Sequence, residues 1–216
     1  MLILLLAILG AACAVGTRLL ARSLVSAREG NPDENRLLRG RLSVAIFMGI
    51  GSLGFALIAA LIGFSAMVRL IQCLLVFQIL LCLSAVDIAI RRIPNEMLLA
   101  LLIVYALGHT FSAGWSEVTD NLLGAGIAAV LFTFPARMGL FPIGWGDIKY
   151  ATLIGFCFGL TGLLQVTIVM GLGLGLCTLY LIISRRGGLK TSAAIGPYLS
   201  AGVIATMVFP VLHTIF

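Results

Sequence analysis

VRLIQCLLVFQILLCLSAVDIAIRRIPNE, residues 68–96, is the most informative segment for predicting the fold. Its first 19 positions form an apolar run close to the roughly 20 residues that an α-helix needs to cross a bilayer. The run ends at Asp87, and a basic pair and Ile-Pro-Asn follow it. This pattern predicts a membrane helix that ends in a tight corner. Because ionisable groups are rare at membrane depth, Asp87 is a functional candidate.

The composition extends this interpretation to the whole chain. Of 216 residues, 61% are apolar and 10% are charged, whereas a soluble domain is about 25% charged. The mean hydropathy is +1.18. We therefore expect an all-α, polytopic integral membrane bundle that forms a single membrane domain over residues 1–216. No long polar stretch leaves room for a separate soluble domain, and the net charge of +6 does not require a nucleic-acid partner. The five cysteines lie apart in apolar runs, which predicts buried thiols and no metal site.

Apolar runs separated by polar breaks predict about eight transmembrane helices. They lie at approximately 2–19, 42–64, 68–86, 97–113, 121–138, 148–161, 164–183 and 195–214. The first lacks a basic segment before it, so we expect an uncleaved helix rather than a secretory signal. The boundary between the sixth and seventh rests only on Gly159, Thr161 and Gly162, and the alternative is one long broken helix.

The distribution of positive charge predicts the orientation. With the amino terminus outside, every Lys and Arg except Arg69 falls in an inner segment, as the positive-inside rule requires. This places Asp87 and Asp147 on the same, cytoplasmic, side. Residues 20–41 form the largest polar segment and are predicted to be a short basic cytoplasmic loop. We assign its arginines to topology and to contact with lipid headgroups.

Two backbone breaks flank the aspartates. After Asp87, Pro94 disfavours helix at Ile93, and Asn95 is a good N-cap for the next helix, with Glu96 in its first turn. The alternative is that Asp87 only marks the membrane border and pairs with Arg91.

The second break precedes Asp147 in GWGDIK, residues 144–149. The two glycines permit backbone shapes closed to other residues. Asp147 would then lie at a helix amino terminus, where the helix dipole and Lys149 favour its anionic form. The alternative is an ordinary helix start with Asp147 as N-cap.

Taken together, the two motifs resemble the prepilin peptidases, or type IV leader peptidases, a GxGD-type family of intramembrane aspartic peptidases. A weaker match is Gly-Pro-Tyr-Leu at 196–199, and the resemblance covers roughly residues 70–210, the expected peptidase core. It implies that Asp87 and Asp147 are the catalytic pair. The residues that support their geometry would be Ile93, Pro94, Asn95, Gly144, Gly146 and Lys149.

The resemblance also implies the reaction and its setting. One aspartate would take a proton from water, and the other would polarise the scissile carbonyl. The substrate would be a prepilin or pseudopilin, whose basic leader is cut at the cytoplasmic face of a prokaryotic inner membrane. The chemistry requires no metal or organic cofactor.

Three further expectations complete the sequence-based interpretation. Many bacterial members of the family carry a large cytoplasmic domain with paired CxxC motifs and also N-methylate the product. The loop at 20–41 is short and lacks cysteine, so we do not expect methyltransferase activity.

The alternative functions are an ion- or proton-coupled transporter that uses Asp87 and Asp147, and a noncatalytic scaffold. The sequence makes no prediction of oligomeric state.

Overall fold

The computed structural model describes residues 1–29, 38, 40–63, 67–109, 115–139, 143–184 and 194–209, and the described residues are almost entirely helical. The seven helices are α1 Leu2–Glu29, α2 Gly40–Ile62, α3 Met67–Ile90, α4 Asn95–His109, α5 Trp115–Arg137, α6 Trp145–Ile183 and α7 Gly196–Val208. The expected all-α class is confirmed for these parts of the chain.

Five of the described helices, α1, α2, α3, α5 and α6, are long and apolar enough to cross a membrane. The other two, α4 and α7, are shorter but equally apolar. Many large apolar side chains on α1, α2, α5 and α6 are exposed, as expected for surfaces that face lipid tails rather than water. The chain is therefore built as a multi-pass membrane protein.

Both ends of the predicted loop at 20–41 are helical, which corrects the sequence-based boundaries. The first helix continues to Glu29, and α2 already begins at Gly40. Ala21 and Val25, one helical turn apart, are buried in the same core as Ile90 of α3. This apolar pair extends the packed face of α1 among polar residues. The sequence Gly-Asn-Pro-Asp at 30–33, which predicts a turn, lies outside the described residues.

The predicted sixth and seventh helices form one helix, α6, with a sharp break at Gly159 (φ 64°, ψ −168°). No loop residues separate the two arms, residues 145–158 and 160–183. Both arms contact the same short stretch of α7: Tyr150 bonds to Ser200, and a Cβ on Gly173 would lie 2.8 Å from the Tyr198 ring. In a straight helix, residues 150 and 173 would be roughly 34 Å apart. The second arm must therefore fold back at Gly159.

The chain divides into two compact units, Met1–Phe111 and Ser112–Phe216. In the first, α1 contacts α2 and α3, and α3 contacts α4. In the second, α6 contacts both α5 and α7. Paired glycines bring backbones together in each unit: Gly10 leaves no room for a Cβ beside the Gly51 carbonyl oxygen, and Gly155 leaves none beside that of Gly124. This close contact of small residues is typical of membrane helix packing.

Candidate active site

Asp87 lies in the last turn of α3, inside the first unit. The helix runs four residues past its predicted end at Val86, so Asp87 is a helical residue and not the first residue after the helix. Its side chain is only 4% exposed. A carboxyl group at this depth needs hydrogen bonds, an ionic partner or a proton, so it is a costly residue to keep for structure alone.

The corner after Asp87 is made by Arg91, which adopts a left-handed conformation with φ 51°. Its backbone N–H donates to the Asp87 carbonyl oxygen at 2.8 Å, which closes α3 with a left-handed C-terminal cap. The alternative that the two side chains pair is not tested by this backbone bond and stays a prediction. Because left-handed residues are usually glycine, nothing in the sequence marks Arg91 for this position.

Ile93 and Pro94 are buried, and α4 starts immediately after them. The Pro94 carbonyl accepts the N–H groups of Met97 and Leu98, so Pro94 is the N-cap and Asn95 is the first helical residue. The prediction that Asn95 caps α4 was therefore wrong. Proline can precede a helix without loss, since the N–H that it lacks has no helical partner in that position.

Two arginines of α1 have specific partners that sequence reasoning missed. Arg28, in the last turn of α1, forms a salt bridge with Glu96 at 2.9 Å, which ties α1 to the first turn of α4. Arg18 is 5% exposed and donates to the Ser43 hydroxyl and the Leu38 carbonyl. The assignment of the arginines to topology and lipid contact is incomplete, because these two also hold helices together.

Asp147 lies in the second unit, in the first turn of α6. The helix begins at Trp145, so Asp147 is the third helical residue and Gly144 is the N-cap. The alternative that Asp147 is itself the N-cap is wrong. Its Oδ2 accepts the N–H of Gly144 at 3.3 Å, and its Oδ1 is buried. An acid in the third position that binds the N-cap N–H forms half of a capping box, at the positive end of the helix dipole.

The GxGD glycines provide space rather than unusual backbone angles. Gly144 has φ −74° and ψ 149°, which any residue can adopt, and Gly146 lies inside the helix. The expectation of special backbone shapes is wrong at these positions. A Cβ on Gly144 would instead stand 3.2 Å from Asp147 Oδ2, which is closer than an ordinary contact. Lys149 is exposed two residues beyond Asp147. Phe141 and Pro142, which predict a break in the helical run before this motif, lie outside the described residues.

The Gly-Pro-Tyr-Leu motif at 196–199 opens α7, with Pro197 in its first turn. The next residue, Ser200, is buried, and its hydroxyl lies 3.0 Å from that of Tyr150. Tyr150 follows Asp147 by three residues, so it shares a face of α6 with the aspartate. The sequence signal for this pair was a polar residue just after each motif, but their contact spans 50 residues.

Comparison with known proteins identifies the class to which these sites belong. Residues 74–183 match the type IV leader peptidase family, and this range includes both aspartates. The prepilin leader peptidase/N-methyltransferases of two Burkholderia pseudomallei strains, 1026b and K96243, are each 30% identical to the chain over 139 residues. That alignment covers 60% of this chain and 43% of each relative, so the chain spans less than half of their length. No solved structure matches significantly.

The family match extends over half of the chain and includes the two motifs from which the resemblance was drawn. The chain therefore belongs to the type IV leader peptidase family. Membership confirms the sequence-based resemblance. The roles of individual residues stay predictions.

Proposed function

We propose that this protein is a membrane-embedded aspartic endopeptidase that removes the basic leader of prepilins or pilin-like proteins. The observation that carries this proposal is the position of Asp87 and Asp147. Both lie within the range that matches the family, and each lies in a terminal turn of a membrane helix beside a break in the chain. An acid in such a place can stay close to water at the membrane border while its helix is anchored in lipid.

The proposed chemistry needs one proton on the pair. The ionised carboxylate takes a proton from water as the water oxygen attacks the scissile carbonyl carbon, and the protonated partner donates to the carbonyl oxygen. When the C–N bond breaks, the leaving amine receives a proton from the pair. Two like charges in one site would keep the second proton bound near neutral pH.

The proposed placement is the inner membrane of a prokaryote, with the amino terminus outside and the aspartates toward the cytoplasm. Because α6 folds back at Gly159, its two arms can count as two crossings, which makes eight with the other six helices. Arg18, Arg22 and Arg28 then lie toward the inner end of α1, in agreement with the positive-inside rule. Substrate would enter from the lipid, with its basic leader at the same face.

Only ten residues, 30–39, connect α1 and α2. This connection is shorter than the predicted loop and supports the expectation that the chain lacks a methyltransferase pocket at this position. We therefore propose cleavage without N-methylation. The mass of the new amino-terminal peptide distinguishes a free amine from a methylated one.

The decisive test is cleavage of a prepilin by membranes that contain the full chain. Asp87→Asn and Asp147→Asn keep the side-chain size but remove the acid, and each should lower the rate by about 1,000-fold or more. Asp120→Asn is the matched control, since Asp120 is another acid in a membrane helix and contacts Gly159 at the break in α6. Its rate should stay within about threefold of wild type if acids act only at the pair.

Two results would contradict the proposal. Full cleavage by either dyad variant would exclude the aspartic mechanism. Failure of the wild-type chain to cut any pilin-like substrate, combined with ion flux in proteoliposomes that both variants abolish, would favour the transporter.

A further inference from the structure

A buried hydrogen bond joins α6 to α7 one turn after Asp147. Tyr150 is fully buried at 0% exposure, Ser200 is 3% exposed, and their hydroxyl oxygens are 3.0 Å apart. Such a bond in an apolar interior is costly to lose, because a hydroxyl left behind has no water to replace its partner. A phenylalanine and an alanine would fill most of the same space, so the two hydroxyls call for an explanation.

The position of α7 is fixed from two sides. Against the second arm of α6, Gly202 packs directly on Val166, where a Cβ would lie 2.8 Å from the carbonyl oxygen. Gly173 accommodates the ring of Tyr198. Against the first arm, Tyr150 reaches Ser200. Because the break at Gly159 separates the arms, α7 links them through its contacts with both.

The cap of α6 is a weak restraint on its first turn. Its N-cap, Gly144, has no side chain, and the bond from its N–H to Asp147 Oδ2 is long at 3.3 Å. Tyr150 lies three residues after Asp147, on nearly the same face and about 4.5 Å further along the axis. A bond that fixes the rotation and depth of Tyr150 therefore also fixes those of the aspartate.

We infer that Tyr150 and Ser200 are positioning residues, which hold the first turn of α6 so that the Asp147 carboxylate stands where the peptidase reaction needs it. This inference rests on the proposed function. It also gives the Gly-Pro-Tyr-Leu motif a purpose: the start of α7 at Gly196 brings Ser200 to the level of Tyr150.

The test compares Tyr150→Phe, Ser200→Ala and the double variant in the cleavage assay. Each single change should lower kcat about tenfold and leave KM within about twofold, because misplacement of a catalytic group affects the reaction more than substrate binding. The double variant should be no slower than the slower single variant, since both changes remove the same bond. Ser200→Thr keeps a hydroxyl and should restore most of the rate.

Thr206→Val is the matched control. Thr206 is also buried in α7, but its hydroxyl donates to the Gly202 carbonyl within its own helix. Its kcat should match that of wild type. A kcat within about twofold of wild type in both single variants overturns the inference. The inference is also overturned if the loss of activity is explained by a lower fraction of folded protein and is equally large in Thr206→Val.

Hydrogen exchange of the backbone amides at 147–151 gives a readout that needs no substrate. Tyr150→Phe and Ser200→Ala should speed exchange there several-fold over Thr206→Val, since a turn with a lost anchor opens more often. If wild type cuts no prepilin but exchange responds in this way, the proposed function is wrong, while Tyr150 and Ser200 still hold the first turn of α6. If cleavage depends on both aspartates but neither exchange nor kcat responds, the positioning role of Tyr150 and Ser200 is wrong, while the proposed peptidase function is supported.

Discussion

The carboxyl end of α3 and the amino end of α6 hold the two aspartates in different ways. Asp87 is buried: it lies inside a helix, at 4% exposure, and the corner follows it. Asp147 is less buried and lies in the cap of its helix, where it accepts the N–H of Gly144. One aspartate is buried at a helix end, and the other is partly exposed at a helix start.

The electrostatic settings differ as well. Asp87 stands near the negative end of the α3 dipole, and Asp147 near the positive end of the α6 dipole. The two helix ends thus present opposite fields to their carboxylates.

The cap at Asp147 can be disturbed without breaking the helix. We expect this change to have a larger effect on the protein than any change at the Asp87 corner described below. In Gly144→Ala the backbone angles stay allowed, but the new Cβ would stand 3.2 Å from Oδ2 and shift the carboxylate by a few tenths of an ångström. We expect kcat to fall about tenfold with an unchanged midpoint of thermal unfolding. Gly126→Ala, where nothing lies within 4 Å, is the matched control for the rate and should leave kcat unchanged. An unaltered rate in Gly144→Ala would show that the capped position of Asp147 is not its working position.

The corner after Asp87 should respond in stability rather than in rate. A left-handed arginine costs about 1 kcal/mol relative to glycine, so Arg91→Gly should raise the free energy of unfolding by about 0.5–1 kcal/mol. Arg92→Gly removes the same charge from the neighbouring residue, which is not left-handed, and should not stabilise the protein. Unfolding midpoints in detergent compare the two. Equal shifts in both variants would trace the effect to charge and not to backbone strain.

The sequence predicted most of the helical segments, because an apolar run is a local signal, and it marked both aspartates as candidates, because an isolated acid is one too. It could not decide how α6 turns. Gly159 changes direction within a single residue, so hydrophobicity continues unbroken across the reversal. Residue preferences alone would place the cap at Asn95 rather than Pro94. They would also place a glycine, not Arg91, in the left-handed position. The bond between Tyr150 and Ser200 joins residues 50 positions apart, beyond the range of any local pattern.

The smallest effect is expected from the salt bridge that ties the Asp87 corner to α1. Arg28 and Glu96 are 30% and 62% exposed, so their attraction is screened, and a double-mutant cycle with Arg28→Gln and Glu96→Gln should give about 0.5 kcal/mol or less. This coupling should shrink further in 1 M salt, where the Debye length falls to roughly 3 Å and exposed ion pairs are screened. A coupling above about 1 kcal/mol that survives high salt would mean that water is excluded from the pair. The Asp87 corner would then depend on a polar link between helices, as we infer for the Asp147 corner, and the two aspartates would differ in exposure but not in how their corners are held.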